Sequence, residues 1–163
     1  MQTMEQDSKF ETLVIGIGNR YRNDDAAGLV AASHLKNLGV DPAIILEHSG
    51  EGASLLESWT GADTVILIDA VSSQARPGTI HRMVADDHPL PAEFFCCSSH
   101  AFAAAQAVEL GRALKRLPRQ LIVYGIEGRN FGSGTQLSPE VEAATHKVAE
   151  SVLRELRAFT PAG

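Results

Sequence analysis

The chain has 163 residues, 44% of them hydrophobic and 21% charged, with a formal net charge of −6. That length suits one domain, residues 11–163 behind a polar extension at 1–10, burying roughly two-thirds of the surface its unfolded form exposes. An acidic chain whose basic cluster is confined to Arg112, Lys115, Arg116 and Arg119 is a poor match for nucleic acid, and no apolar run reaches membrane-spanning length.

The N-terminal MQTMEQDSKF has no secretory character, and the two cysteines, Cys96 and Cys97, are adjacent and build no disulfide framework, so a cytoplasmic location is expected. The first structured stretch is Thr12 to Gly28. Leu13, Val14, Ile15 and Ile17 form an apolar block bounded by Gly16 and Gly18, the pattern of a strand buried on both faces. From Asp25 the period changes to 3.6: Ala27, Val30, Ala31, Leu35 and Leu38 share a face, with Gly39 as the C-terminal stop. Asp24 or Asp25 therefore sits at the helix N-terminus, where a negative charge is favoured. One carboxylate suffices as a cap, so the pair also invites a chemical reading.

Ala43 to His48 is a second strand, Ala53 to Trp59 a short helix, and Asp63 to Ala70 (DTVILIDA) the strongest strand signal, ending on Asp69. Thr79 to Val84 alternates poorly and is assigned to an edge strand. Residues 85–99 form a long loop with no clear period. A helix from about His100 to Leu117 is predicted, capped by Ser98 or Ser99, with Phe102, Ala105, Leu110, Ala113, Leu114 and Leu117 buried. Gln120 to Ile126 is a fifth strand. Ser138 and Pro139 then open a last amphipathic helix reaching Phe159. Strands alternating with helices imply an α/β fold with a mostly parallel sheet covered on both faces, whose ligands sit beyond the C-terminal strand ends.

Asp25, Asp69 and His100 all follow strand ends or open helices and are predicted to converge on that edge. Two carboxylates and an imidazole suit a borderline divalent metal and can activate water. The plain alternatives are a cap for Asp24, a cap or turn residue for Asp69, and a capping or core residue for His100. GIGN lacks the third glycine of a dinucleotide fingerprint and is followed by acidic residues that repel phosphate. Cys96 and Cys97 fit buried free thiols. His34, His48, His81, His88 and His146 share no motif and are assigned to surface or packing, and Glu127 to a loop with a secondary option of supporting the site.

GIGNRYRNDDAAG, GEGASLLESWTGADTVILIDAV with the later RPGTI, SSHAF, IVYGIEG and LSPEV occur in the order that resembles the hydrogenase maturation proteases. These endopeptidases trim the C-terminus of the nickel-iron hydrogenase large subunit, and the resemblance runs over about residues 12–155. It implies a three-layer α/β/α sandwich, phosphorylase/hydrolase-like, around a five-stranded, mostly parallel sheet. It also implies a metal-recognising set of Asp25, Asp69 and His100, with Asp25 and Asp69 as the catalytic candidates. The nickel is supplied by the substrate, the large-subunit precursor, and no tightly bound cofactor is expected. Three positions depart from the family pattern: Asp25 where some relatives carry Glu, Ala26 and Ala27 where many begin with glycine, and Tyr21 in place of an aliphatic residue. A non-catalytic metal-dependent binding module, or a peptidase with a metal-free substrate, are the alternative functions on this scaffold.

Overall fold

The computed structural model describes residues 12–86, 88–95 and 102–159. Five strands, β1 (Thr12–Ile17), β2 (Ile45–His48), β3 (Thr64–Val71), β4 (Ile80–Val84) and β5 (Gln120–Glu127), form one sheet in the order β2-β1-β3-β5-β4. All neighbours are parallel except β4, which runs antiparallel to β5 at one edge. β3 is buried along its whole length, as a central strand covered on both faces must be.

Register decides which side chains meet. Leu13 pairs with Val65 and Val65 with Leu121, so these three and the residues two further along share one face. That face, with Ile15, Leu67 and Val123, packs against α2 (Gly52–Ser58) and α3 (Ala103–Ala113) through Leu55, Leu56, Ala105 and Val108. The opposite face, carrying Val14, Ile66, Ile68 and Ile122, packs against α1 (Ala27–Asn37) and α4 (Pro139–Phe159). The result is the three-layer arrangement with a five-stranded, mostly parallel sheet.

The start of α1 lies hard against the strand ends. A Cβ on Gly28 would stand 2.2 Å from the Ile68 carbonyl oxygen and 2.3 Å from that of Ile17. Gly18 is as constrained, since its Cβ would fall 2.1 Å from the Asp25 carbonyl oxygen. Only glycine at both positions lets the acidic turn fold directly over the end of β1.

Four expectations about elements change. Ala43 and Ile44 belong to a 3₁₀ turn, Pro42–Ile44, because the Asp41 carboxylate accepts the Ala43 N–H at 2.9 Å; the strand begins at Ile45. The buried stripe of α3 is Ala104, Ala105, Ala107, Val108 and Gly111, while Leu110 and Leu114 are 39% and 53% exposed and Ala113 also faces out. Small residues win the inward face because α3 lies close to its neighbours: a Cβ on Gly111 would meet Leu56 at 2.9 Å. The helix also stops at Ala113, since Lys115 takes a left-handed conformation (φ +56°), so Leu117 packs on the core from outside it. Leu38, assigned to the buried face of α1, is 46% exposed, because it already belongs to the turn that closes at Gly39.

Candidate active site

The order β2-β1-β3 means that the chain leaves β1 in opposite directions toward β2 and β3, so the sheet's switch point lies between the C-terminal ends of β1 and β3. Asp25 arrives there on the 3₁₀ turn Asn23–Ala26 that follows β1, and Asp69 stands near the end of β3. The turn is closed by two backbone bonds, Asp25 N–H to the Arg22 carbonyl at 3.1 Å and Asn19 N–H to the Asp25 carbonyl at 3.4 Å.

Asp69 is 3% exposed and faces α3, whose Ala104 N–H donates to its Oδ2 at 3.1 Å. It therefore takes up one of the N–H groups that a helix start leaves unpaired. Burial pushes the Asp69 carboxyl up to about 8, a rise that the Ala104 amide opposes, the charge of nearby Asp25 strengthens and the Ala70 amide opposes. Burial and the charge of Asp25 thus favour the protonated form of Asp69, beside that second, partly exposed carboxyl group.

Asp24 has a different fate from its neighbour. It is fully buried, and its Oδ2 accepts the N–H groups of Arg129 (2.8 Å) and Asn130 (2.9 Å) and the Ser138 hydroxyl (2.8 Å), while Oδ1 accepts the Ser138 N–H at 2.7 Å. Burial works to raise its pKa, but the bonds from Ser138, Asn130 and Arg129 outweigh it and hold the carboxyl below the ordinary value. Asp24 is the anchor of the 128–138 loop, and the Ser138 hydroxyl assigned to capping α4 is turned toward it.

His100 lies outside the described residues, as do Cys96, Cys97, Ser98, Ser99 and the extension 1–10. Among the described residues no three His, Cys, Asp or Glu side chains gather into a metal-holding group. Asp25 and Asp69 supply two donors of the type a borderline cation accepts, and the imidazole that the sequence offers as the third belongs to the segment not described.

Glu127 and His81, which the sequence left to a loop and to surface or packing, are joined at this edge. Glu127 is 1% exposed, and its Oε1 lies 3.0 Å from His81 Nε2; the Ser73 N–H reaches both its oxygens at 3.2 Å and the Ser73 hydroxyl donates to Oε1. The available signal was alternation: Leu121, Val123, Gly125 and Glu127 are every second residue of one strand, so Glu127 falls on the buried face. A solvent-open hollow of about 260 Å³ lined by Arg82, Val84, Gln120 and Glu155 lies instead at the opposite, N-terminal end of β5.

A family model described as hydrogenase maturation protease matches residues 32–155, a span that includes Asp69 and His100 and begins just after Asp25. The chain belongs to the hydrogenase maturation protease family. A protein of Methanocaldococcus jannaschii named as a putative hydrogenase maturation protease is 28% identical over 158 residues, covering 91% of this chain and 98% of that one. The fold is shared with the hydrogenase maturating endopeptidase HybD from E. coli, at 27% identity and TM-score 0.75, over 91% of this chain and 93% of that one. It is shared equally with the NiFe hydrogenase maturation protease HybD from Thermococcus kodakarensis, at 26% identity and TM-score 0.68, over 90% and 99%. As a hydrogenase maturation protease, the chain is an endopeptidase, and its chemistry is hydrolysis of a peptide bond.

Proposed function

We propose that this endopeptidase removes the C-terminal extension of a nickel-iron hydrogenase large-subunit precursor, in the cytoplasm, after nickel has been inserted. Asp25, Asp69 and His100 recognise the nickel, which is part of the substrate and not a resident cofactor. What supports this reading is the carboxyl pair at the switch point, with Asp69 buried and held by the start of α3. A cation brought beside a buried carboxyl group displaces its proton, since metal binding requires the deprotonated ligand.

Of the two carboxylates, Asp25 is the more accessible and is the group placed to accept a proton from an attacking water. Anchoring the precursor through its metal would fix the scissile bond beside that carboxylate, and such tethering is worth about 7–11 kcal/mol of barrier. The peptidase is in this sense aspartic-type, with the cation acting as the substrate's signal of completed assembly. Asp25→Asn and Asp69→Asn are each expected to fold and to lower precursor processing by about 10²-fold or more. Processing at the wild-type rate by either folded variant, followed by gel mobility of the precursor, would remove that residue from the site.

A further inference from the structure

The register of the sheet places Asp69 of β3, Gly125 of β5 and His81 of β4 in one row across three neighbouring strands, with their side-chain directions on the face that packs against α3. Gly125 leaves a gap in that row, and Val71 and Phe102 fill it. A Cβ on Gly125 would lie 3.3 Å from Val71 Cγ1, 3.4 Å from the Phe102 ring and 3.7 Å from the His81 Cβ. Phe102 is 2% exposed and immediately precedes α3, so its ring fixes where the helix begins.

The His81 ring is held from two sides. Glu127, one row further out on the same face, takes its Nε2 at 3.0 Å, and Phe94 packs edge-on against it with centroids 5.2 Å apart at 77°. Phe94 in turn leans on Phe102 at 5.5 Å and 57°. Two residues after Phe102 comes the Ala104 N–H that holds Asp69. A continuous set of contacts therefore runs from Glu127 through His81, Phe94 and Phe102 to the Asp69 carboxyl. Glu127 also binds Ser73, four residues beyond Asp69, and so fixes the segment into which β3 runs.

Ser73, Glu127 and His81 are not a nucleophile relay, because the carboxylate stands between the hydroxyl and the imidazole instead of behind the imidazole. Nor does stability account for a buried carboxylate with an imidazole partner, since apolar residues of similar volume commonly serve a core as well or better. We propose that Glu127 and His81 are positioning residues for proteolysis, setting the start of α3 and the end of β3 so that Asp69 faces the substrate in a fixed orientation. The proposal rests on the assignment of Asp69 to the site.

The test compares wild type with Glu127→Gln, which keeps the side-chain shape and an acceptor for Ser73, and with His81→Gln, which keeps a donor toward Glu127. Three quantities are read: kcat and KM for precursor processing, hydrogen exchange at the Ala104 amide, and exchange at the Leu67 amide in mid-β3. Loss of an outer-sphere partner of this kind costs about 10- to 100-fold in activity. The expected result for Glu127→Gln is a kcat lowered by about tenfold or more with KM nearly unchanged, faster exchange at Ala104 and unaltered exchange at Leu67. His81→Gln is expected to show the same pattern, more weakly.

Unchanged kcat in both folded variants would overturn the proposal, as would equal acceleration of exchange at Ala104 and Leu67 or failure of both variants to fold. Asp69→Asn run in parallel separates the two readings. If it processes normally, the site assignment fails; if it is inactive while both pair variants are normal, only the positioning role fails.

Discussion

Asp24 and Asp69 are both buried, and their surroundings shift their pKa values in opposite directions. The four donors on Asp24 outweigh its burial and hold its pKa down, whereas at Asp69 burial outweighs the Ala104 and Ala70 amides and the pKa is raised. Asp24→Ala would take the shared acceptor from three part-buried N–H groups, and a hydrogen bond to a charged group is worth about 1.5–3 kcal/mol, so a loss of about 2–4 kcal/mol in urea unfolding is expected. Because the folded pKa of Asp24 lies below its unfolded value, its contribution is complete above the ordinary carboxylate range and is lost as pH falls through the folded pKa. The alanine variant is expected to show a flatter acid limb; an unchanged limb would contradict the anchoring role.

Asp69 has the opposite sign. Its pKa is raised from 3.8 to about 8, so between those values the folded state binds one proton more than the unfolded state, and stability declines as pH rises. One proton corresponds to a slope of at most about 1.36 kcal/mol per pH unit. Asp69→Asn, which retains an oxygen for the Ala104 amide, is expected to gain stability over wild type progressively up to about pH 8 and to level off above it. A stability difference independent of pH would show that Asp69 is ionised in the folded protein.

At the scale of elements, continuous apolar runs were the readable signal: β1, β3 and β5 lie close to where Leu13 to Ile17, Val65 to Ile68 and Leu121 to Ile126 place them. The phase of α3 was not readable, because hydrophobicity ranks leucine above alanine while close packing against α2 admits only small residues on the inner face. The α1–α4 contact also hides a feature that composition cannot show. His34 and His146 stack with centroids 3.8 Å apart and rings 17° from parallel, and His34 Nε2 is buried with no partner among the described residues. Burial and then His146 hold the His34 pKa below 6.5, against a smaller opposing effect of Glu142. The unfolded chain therefore binds the proton more readily, and the contribution of this contact is complete above pH 6.5 and falls as pH drops below it. His34→Phe, which preserves a stacked ring without a titrating nitrogen, is expected to raise Tm relative to wild type at pH 5.5 more than at pH 7.5. An equal shift at both would assign the effect to packing alone.

For the molecule as a whole, the candidate site was legible where carboxylates coincide with strand ends. The sequence marked Asp69 because a carboxylate terminates its strongest apolar run, and it marked Asp25 because two acids open a helix where one would do. The four family motifs in register added a metal-recognising role that spacing alone left open. Glu127 stood out only as a secondary option at a strand end and His81 not at all; the pairing of β5 with β4 brings them together. Strand order likewise emerges from tertiary packing, and it is the order that makes the ends of β1 and β3 a switch point.

The measurement that tests the central claim most directly is processing of a hydrogenase large-subunit precursor from the same organism by the purified protein, nickel-loaded and nickel-free samples side by side, followed by gel mobility. Cleavage of the loaded precursor alone is the result this account predicts. Cleavage of the nickel-free precursor at the full rate would contradict a substrate-borne metal as the element that Asp25, Asp69 and His100 recognise.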